Sequence, residues 1–272
     1  MAQTHIGGYR VGAGQRLLLI TGPCVIESEE SVQRHADRVA EVTAEFPVNV
    51  VFKASFDKAN RTSVDSFRGP GPTAGAAILA RVRQRVGLPV LTDVHEVAQV
   101  ELVAPHVDVL QIPAFLCRQT DLIAAAAKLG RSVNIKKGQF VAPGDMKFAV
   151  EKARSVGQDN VLLTERGSSF GYHNLVVDFR GLVEMQAFAP VCFDATHSVQ
   201  RPSGSGGKSG GDRTLAPVLA RGAAAVGIDA LFAEVHENPD AALSDGPNSL
   251  TFELLHSMLR EVCAVRAALQ AG

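Results

Sequence analysis

The chain has almost no excess of charge of either sign: 27 Lys and Arg stand against 28 Asp and Glu, a formal net charge of −1. That excludes bulk attraction to nucleic acid or to an anionic membrane as the basis of its function. Cysteine is sparse. Cys24, Cys117, Cys192 and Cys263 form no CxxC pair and no dense disulfide framework. Free thiols in a reducing, cytoplasmic setting are therefore expected. No apolar run approaches the roughly 20 residues that span a bilayer. The opening stretch, Met1 to Gly14, lacks the basic-then-apolar pattern of a secretory leader. What is present is an ordinary globular mixture of 272 residues, 46% hydrophobic and 20% charged, with enough apolar material for a large core.

That apolar material is distributed with a rhythm. After a glycine-punctuated extension over residues 1–16, in which His5 to Val11 could form a small hairpin, compact apolar runs alternate with helical patterns. The runs are Leu17 to Thr21, Asn49 to Ser55, Pro89 to Val94, Val107 to Ala114, Ser132 to Lys137, Val161 to Arg166, Val191 to Thr196 and Ala230 to Val235. Ser28 is a candidate N-cap for a helix reaching about Glu45, with Glu29 and Glu30 in the first turn, where the helix dipole favours acids. Gly87 and Gly130 read as helix stops and Pro143 as a first helical residue. The runs are nearly continuous rather than alternating, as parallel strands buried on both faces require. Eight such units in one chain predict an α/β fold, a single (β/α)8 TIM barrel over 1–272. A doubly wound open sheet is the structural rival.

In such a barrel, reactive groups collect where the strands end. Three ends carry Lys53, Lys136 and Arg166, so three cations would converge in one mouth. Without an anionic ligand that convergence is costly, and it suits phosphate and carboxylate groups. A second set, Cys24, His197, Glu234 and Asp245, follows the first, seventh and eighth runs, which become neighbours on closure. A thiolate, an imidazole and two carboxylates suit Zn, Fe or Mn better than Mg. Behind His197, the stretch from Pro202 to Ser209 nearly matches a phosphate-binding P-loop, with Pro202 in place of the first glycine. It lies too far past its strand for that role. A flexible linker or a glycine-hinged lid over 198–211 are the other readings.

Several long motifs carry a resemblance: GPCVIES at 22–28, FKASFDKANR at 52–61, LTDVHE at 91–96, QIPAFLCRQTDL at 111–122, NIKKGQF at 134–140, TERGSSFGYHNLVVDFR at 164–180, FDATHSVQRP at 193–202 and EVHENPDAALSDGPN at 234–248. In this order they resemble the 3-deoxy-D-manno-octulosonate-8-phosphate synthases over nearly all of residues 17–255. The resemblance implies a (β/α)8 barrel, a homotetramer, and condensation of phosphoenolpyruvate with D-arabinose 5-phosphate for lipopolysaccharide biosynthesis. It implies no organic cofactor.

By position, the resemblance assigns Lys53, Lys58, Gln111, Lys136 and Arg166 to phosphoenolpyruvate. Asn60, Arg61 and Thr62 fall to the pentose phosphate, and Gln139 also falls among the substrate-binding residues. Phe115 and Arg118 are similar to residues that reach a neighbouring subunit's site. Lys53, Lys136, His197 and Glu234 are implied as catalytic. Cys24, His197, Glu234 and Asp245 match the ligands of the metal-dependent branch; the metal-independent branch carries Asn at the Cys24 position. The loops at 198–211 and 237–249 are implied to border the active site. A sister synthase that uses erythrose 4-phosphate has a different motif where this chain has Lys58 to Ser63, and Asn60 favours the pentose enzyme. A non-catalytic barrel that merely binds phosphorylated ligands is the alternative of another class. His173 stands where Asn is usual.

Overall fold

Apolar runs flanked by turn residues become the staves of a closed barrel. The structure, a computed structural model, describes residues 4–61, 63–129, 131–205 and 208–270. The barrel strands are β3 (Leu17–Gly22), β4 (Val48–Lys53), β5 (Val90–Asp93), β6 (Val109–Ile112), β7 (Ser132–Lys136), β8 (Val161–Glu165), β11 (Val191–Asp194) and β14 (Ala230–Glu234). Each pairs in parallel with its neighbours, and the ring closes in the order β11-β14-β3-β4-β5-β6-β7-β8. The open-sheet rival is thereby excluded. Seven of the eight strands are buried along their whole length, since helices cover one face and the barrel interior takes the other.

The helical layer comprises α1 (Glu29–Thr43), α2 (Pro72–Val86), α3 (Val97–Val103), α4 (Thr120–Lys128), α5 (Met146–Arg154), α6 (Phe179–Met185), α7 (Ala216–Val226) and α8 (Phe252–Gln270). The expected caps are present. The Ser28 hydroxyl accepts from Ser31 N at the start of α1, and Gly87 closes α2 at a left-handed φ of 69°. Helices α5 and α7 start three residues later than the sequence signals, because Pro143–Asp145 and Arg213–Leu215 form tighter single turns first. The stop expected at Gly130 lies outside the described residues.

The extension at the N-terminus does form a hairpin, β1 (Thr4–Ile6) with β2 (Tyr9–Val11). It sits against the strand starts: Gly7 N donates to Ser132 Oγ, and Thr4 Oγ1 donates to Asn160 Oδ1. Ile6 and Val11 join Leu18, Ile20, Val51 and Phe232 in an apolar cluster inside the barrel. A larger cluster fills the layer between strands and helices.

The loops at the opposite end are less irregular than expected. Between β8 and α6, β9 (Ser168–Ser169) pairs with β10 (Leu175–Val176). Among its described residues, the stretch 198–211 is not an unstructured linker, nor the strand-loop-helix of a P-loop. After a single turn through Val199, β12 (Gln200–Ser205) pairs antiparallel with β13 (Lys208–Gly211). Glycine and serine have weak strand propensity, so local pairing rather than composition builds it. His173 stands at φ 54°, and its Nδ1 lies 2.7 Å from Pro202 O, where the tautomer protonated at Nδ1 donates and ties one hairpin to the other.

Candidate active site

The strand ends open into a cavity of about 1470 Å³. Lys53 and, from the loop that follows it, Lys58 and Arg61 reach it, as do Lys136 at the end of β7 and Arg166 just past β8. Asn60, Gln111, Phe115 and Gln139 also line it. Arg118 does not; it is exposed, and its carbonyl accepts from Lys152 Nζ. Thr62 lies outside the described residues.

Two of the buried cations are neutralised. Lys53 Nζ donates to Glu234 Oε1 at 2.6 Å and to Cys24 O at 2.8 Å. Lys136 Nζ donates to Asp194 Oδ2 at 2.6 Å and rests 3.8 Å above the centre of the Phe232 ring. Arg166 differs. Its Nη2 donates to Gln200 Oε1 at 2.9 Å, while its Nη1 is buried without a partner, and it makes no ion pair among the described residues. Burial holds its pKa below the usual arginine value, against the pull of Asp194 and Asp245. A buried guanidinium with a free donor is a costly arrangement that an anion relieves.

Gln111 is set from below. Thr164 Oγ1 donates to Asn134 Oδ1 and Asn134 Nδ2 donates to Gln111 Oε1, which leaves the Gln111 amide nitrogen as the donor for the cavity. Lys58 stands beside Asp245 at 4.0 Å. Burial alone would lower its pKa, but the charges of Cys24, Glu234 and Asp245 prevail and hold it well above the ordinary lysine value.

The second set converges in part. One ligand atom each from Cys24, Glu234 and Asp245 lies within 4.8 Å of the others. Cys24 Sγ is 3.2 Å from Asp245 Oδ2 and 3.3 Å from Ser244 Oγ. His197 lies outside that mutual group, with Nε2 3.8 Å from Glu234 Oε2 and 4.0 Å from Asp245 Oδ2. Its other nitrogen, Nδ1, is 2.8 Å from Asp194 Oδ2, the partner a metal-bound imidazole uses for orientation. Glu234 Oε2 is buried without a partner. Burial alone would raise the Glu234 carboxyl, but Lys53 and His197 hold it far below the usual carboxylate range. The Cys24 thiol is pushed well up by burial and then by Glu234. An orphaned carboxylate oxygen beside a thiol and a second carboxylate fits a borderline divalent cation.

Three contributors were not among the candidates. Asp194 is fully buried and serves Lys136, His197 and the Thr196 hydroxyl together. Gln200 joins Arg166 to Asp245, donating from Nε2 to Asp245 Oδ1 at 3.0 Å. Glu165 accepts from the Arg166 and Gly167 backbone amides and stands 3.5 Å from the buried Lys137 ammonium. Asp194 and Glu165 had a visible signal, a carboxylate closing a buried apolar strand. Gln200 had none.

Fold and site together define a (β/α)8 barrel whose mouth concentrates cations and a compact thiol–carboxylate cluster. The chain belongs to the DAHP synthetase I family, which it matches over residues 2–271. It is 59% identical to the 2-dehydro-3-deoxyphosphooctonate aldolase of Desulfatibacillum aliphaticivorans, over 95% of each chain. It is 57% identical to the protein of the same name from Cyanothece sp., again over 95% of each, and 59% identical to that of Synechococcus sp., over 96% of this chain and 92% of the relative.

Proposed function

We propose that this chain condenses phosphoenolpyruvate with D-arabinose 5-phosphate and water, releasing inorganic phosphate and 3-deoxy-D-manno-octulosonate 8-phosphate for lipopolysaccharide assembly. The likeness to the curated aldolases supports the activity. The observation that carries it to the site is the free, buried Nη1 of Arg166 in a cavity that Lys53 and Lys136 also line. On this reading Lys53, Lys58, Gln111, Lys136, Gln139 and Arg166 bind phosphoenolpyruvate and neutralise its charge. Asn60, Arg61 and Thr62 hold the sugar phosphate. Residues 1–272 form one catalytic barrel, with 198–211 and 237–249 as its active-site loops.

The chain is a member of the metal-dependent branch, with Cys24, His197, Glu234 and Asp245 holding Zn, Fe or Mn. Such an ion, when bound, supplies Lewis-acid polarisation of an aldehyde or water oxygen. The residues do the rest. A bond forms between C3 of phosphoenolpyruvate and the sugar aldehyde carbon, and the oxygen of water adds at C2. The C2–O bond to phosphate then breaks and phosphate departs with that oxygen. Lys136 and Arg166 stabilise the departing charge. Lys53, fixed between Glu234 and the Cys24 carbonyl, keeps a proton at the reacting face. His197 and Glu234 move protons between water and the former aldehyde oxygen.

Exposure of Phe115, at 53%, and of Arg118 supports a homotetramer in which both reach a neighbouring site. No described helix is long and apolar enough to cross a membrane, in keeping with a cytoplasmic place for the reaction. One phosphate-release assay tests the reading. Phosphoenolpyruvate with arabinose 5-phosphate is expected to turn over, chelation to abolish it, and Zn2+, Mn2+ or Fe2+ to restore it. Faster turnover of erythrose 4-phosphate would move the chain to the sister activity. Binding without phosphate release would make it a non-catalytic barrel.

A further inference from the structure

We propose that Gln200 is a positioning residue that couples the anion subsite at Arg166 to the metal-ligating carboxylate of Asp245, so that each ligand tightens the other through one side-chain amide. The inference rests on the functional reading above, which places phosphoenolpyruvate at Arg166 and a divalent ion at Asp245.

The geometry is that of a two-ended spacer. Gln200 Oε1 accepts from Arg166 Nη2 at 2.9 Å, and Gln200 Nε2 donates to Asp245 Oδ1 at 3.0 Å. A primary amide presents an acceptor on one side and donors on the other. Its neighbours fix which way it points. Reversed, it would set donor against donor at the guanidinium and acceptor against acceptor at the carboxylate. No other side chain of that length meets both demands: a glutamate repels Asp245, a lysine repels Arg166, and an apolar chain leaves both unsatisfied.

What the amide leaves free at each end is the functional atom. At Arg166 it occupies Nη2 and leaves the buried Nη1 without a partner. At Asp245 it occupies Oδ1 and turns Oδ2 toward Cys24 Sγ, 3.2 Å away, with Lys58 Nζ and His197 Nε2 each at 4.0 Å. Asp245 itself sits at a left-handed φ of 51°, a conformation that needs outside support in a non-glycine residue. Gln200 is also the first residue of β12, paired with Gly211, so displacement of that hairpin would break both contacts at once.

Coupling follows from ordering. Arg166, Gln200 and Asp245 must be immobilised together, and whichever ligand binds first pays that entropy for the second. Linkage then requires the two ligands to raise each other's affinity by the same factor.

The test measures binding without turnover, on the full chain with no sugar phosphate present. Calorimetric titration gives the Kd of Mn2+ with and without phosphoenolpyruvate, and the Kd of phosphoenolpyruvate with and without Mn2+. The expected result is a mutual tightening in the unaltered protein that falls at least fivefold in Gln200→Met, about one hydrogen bond's worth. Gln200→Asn, whose amide is too short to span both partners, is expected to do the same, and it serves if the Met variant does not fold. A coupling factor unchanged in a folded variant overturns the proposal while leaving the functional reading intact. An unaltered protein that binds neither probe overturns the functional reading, and the coupling with it. A merely structural Gln200 would lower melting temperature and leave the factor alone.

Discussion

The two ends of the barrel are built from the same eight strands and bury opposite chemistries. At the strand starts, the interior is filled by Leu18, Val51, Val109 and Leu162, and closed by Ile6 and Val11 of the hairpin. At the strand ends, Lys53, Lys136, Asp194 and Glu234 are as thoroughly buried, each at 6% exposure or less. The first end is a sink for apolar surface and needs no partner beyond shape. The second is a closed set of opposite charges in which each member is tolerable only because the others are present. Phe232 marks the boundary: its ring belongs to the apolar cluster, and the Lys136 ammonium rests on its face. Stability and function are thus assigned to different ends of the same element.

The largest expected break in that contrast comes from Asp194→Ala. It leaves Lys136 and His197 without their shared carboxylate in a fully buried position. Removal of one partner from a buried pair costs about 3–5 kcal/mol, and phosphate release should fall to background. Denaturant unfolding and the turnover assay check both; a variant as stable as its parent contradicts the role of Asp194 as the counter-charge. At the other end, Ile6→Ala removes the same kind of burial without touching charge. It should cost about 2 kcal/mol and leave the KM for phosphoenolpyruvate unchanged. A raised KM would show that the two ends are not separable. Smaller again is Arg166→Lys, which keeps the charge and loses the fork. KM for phosphoenolpyruvate should rise roughly tenfold, the worth of one charge-assisted hydrogen bond, with little change in melting temperature.

The same contrast explains what the sequence could disclose. The apolar end is written in local pattern: continuous runs from Leu17 and Ala230 give strands, and Ser28 and Gly87 give helix limits, because periodicity and capping act within a few residues. Lys53, Lys136 and Arg166 were also legible, since a cation ending a buried strand is anomalous on its face, and all three do meet in one cavity. The Gln200 bridge was not, because its partners lie 34 and 45 positions away and nothing in the residue type announces them. The hairpin at 200–211 was hidden for a related reason: its glycines suggest a linker, and pairing from Gln200–Gly211 to Ser205–Lys208 overrides that propensity. His197, matched by position alone, arrives beside two members of the group that Cys24, Glu234 and Asp245 form, with Nε2 3.8 Å from Glu234 Oε2 and 4.0 Å from Asp245 Oδ2.

The smallest effect sits at the end of β5, where Ser55 Oγ donates to Asp93 Oδ1 and His95 Nε2 stands 2.9 Å from Asp93 Oδ2. Burial alone would lower the His95 pKa, but the hydrogen bond and charge of Asp93 outweigh it and raise the imidazole above its ordinary value. Burial alone would raise the Asp93 carboxyl, but the hydrogen bond and charge of His95, with Lys53 behind it, hold it far below the carboxylate range. The signs follow. A raised imidazole contributes stability fully below its unfolded value, about pH 6.5, and loses it as pH rises through the folded value. A depressed carboxyl contributes above its unfolded value, about pH 3.9, and loses it as pH falls through the folded one. Both contributions coexist only on the mildly acidic side of neutrality. The melting-temperature difference between the unaltered protein and His95→Gln should therefore be greatest near pH 6 and shrink toward pH 9. A difference of about 1 kcal/mol moves the melting point of a chain this long by only ~2–4 °C, so the direction of the trend decides. A difference that grows with pH would mean that His95 is held neutral, and that the charged end of the barrel stops short of this pair.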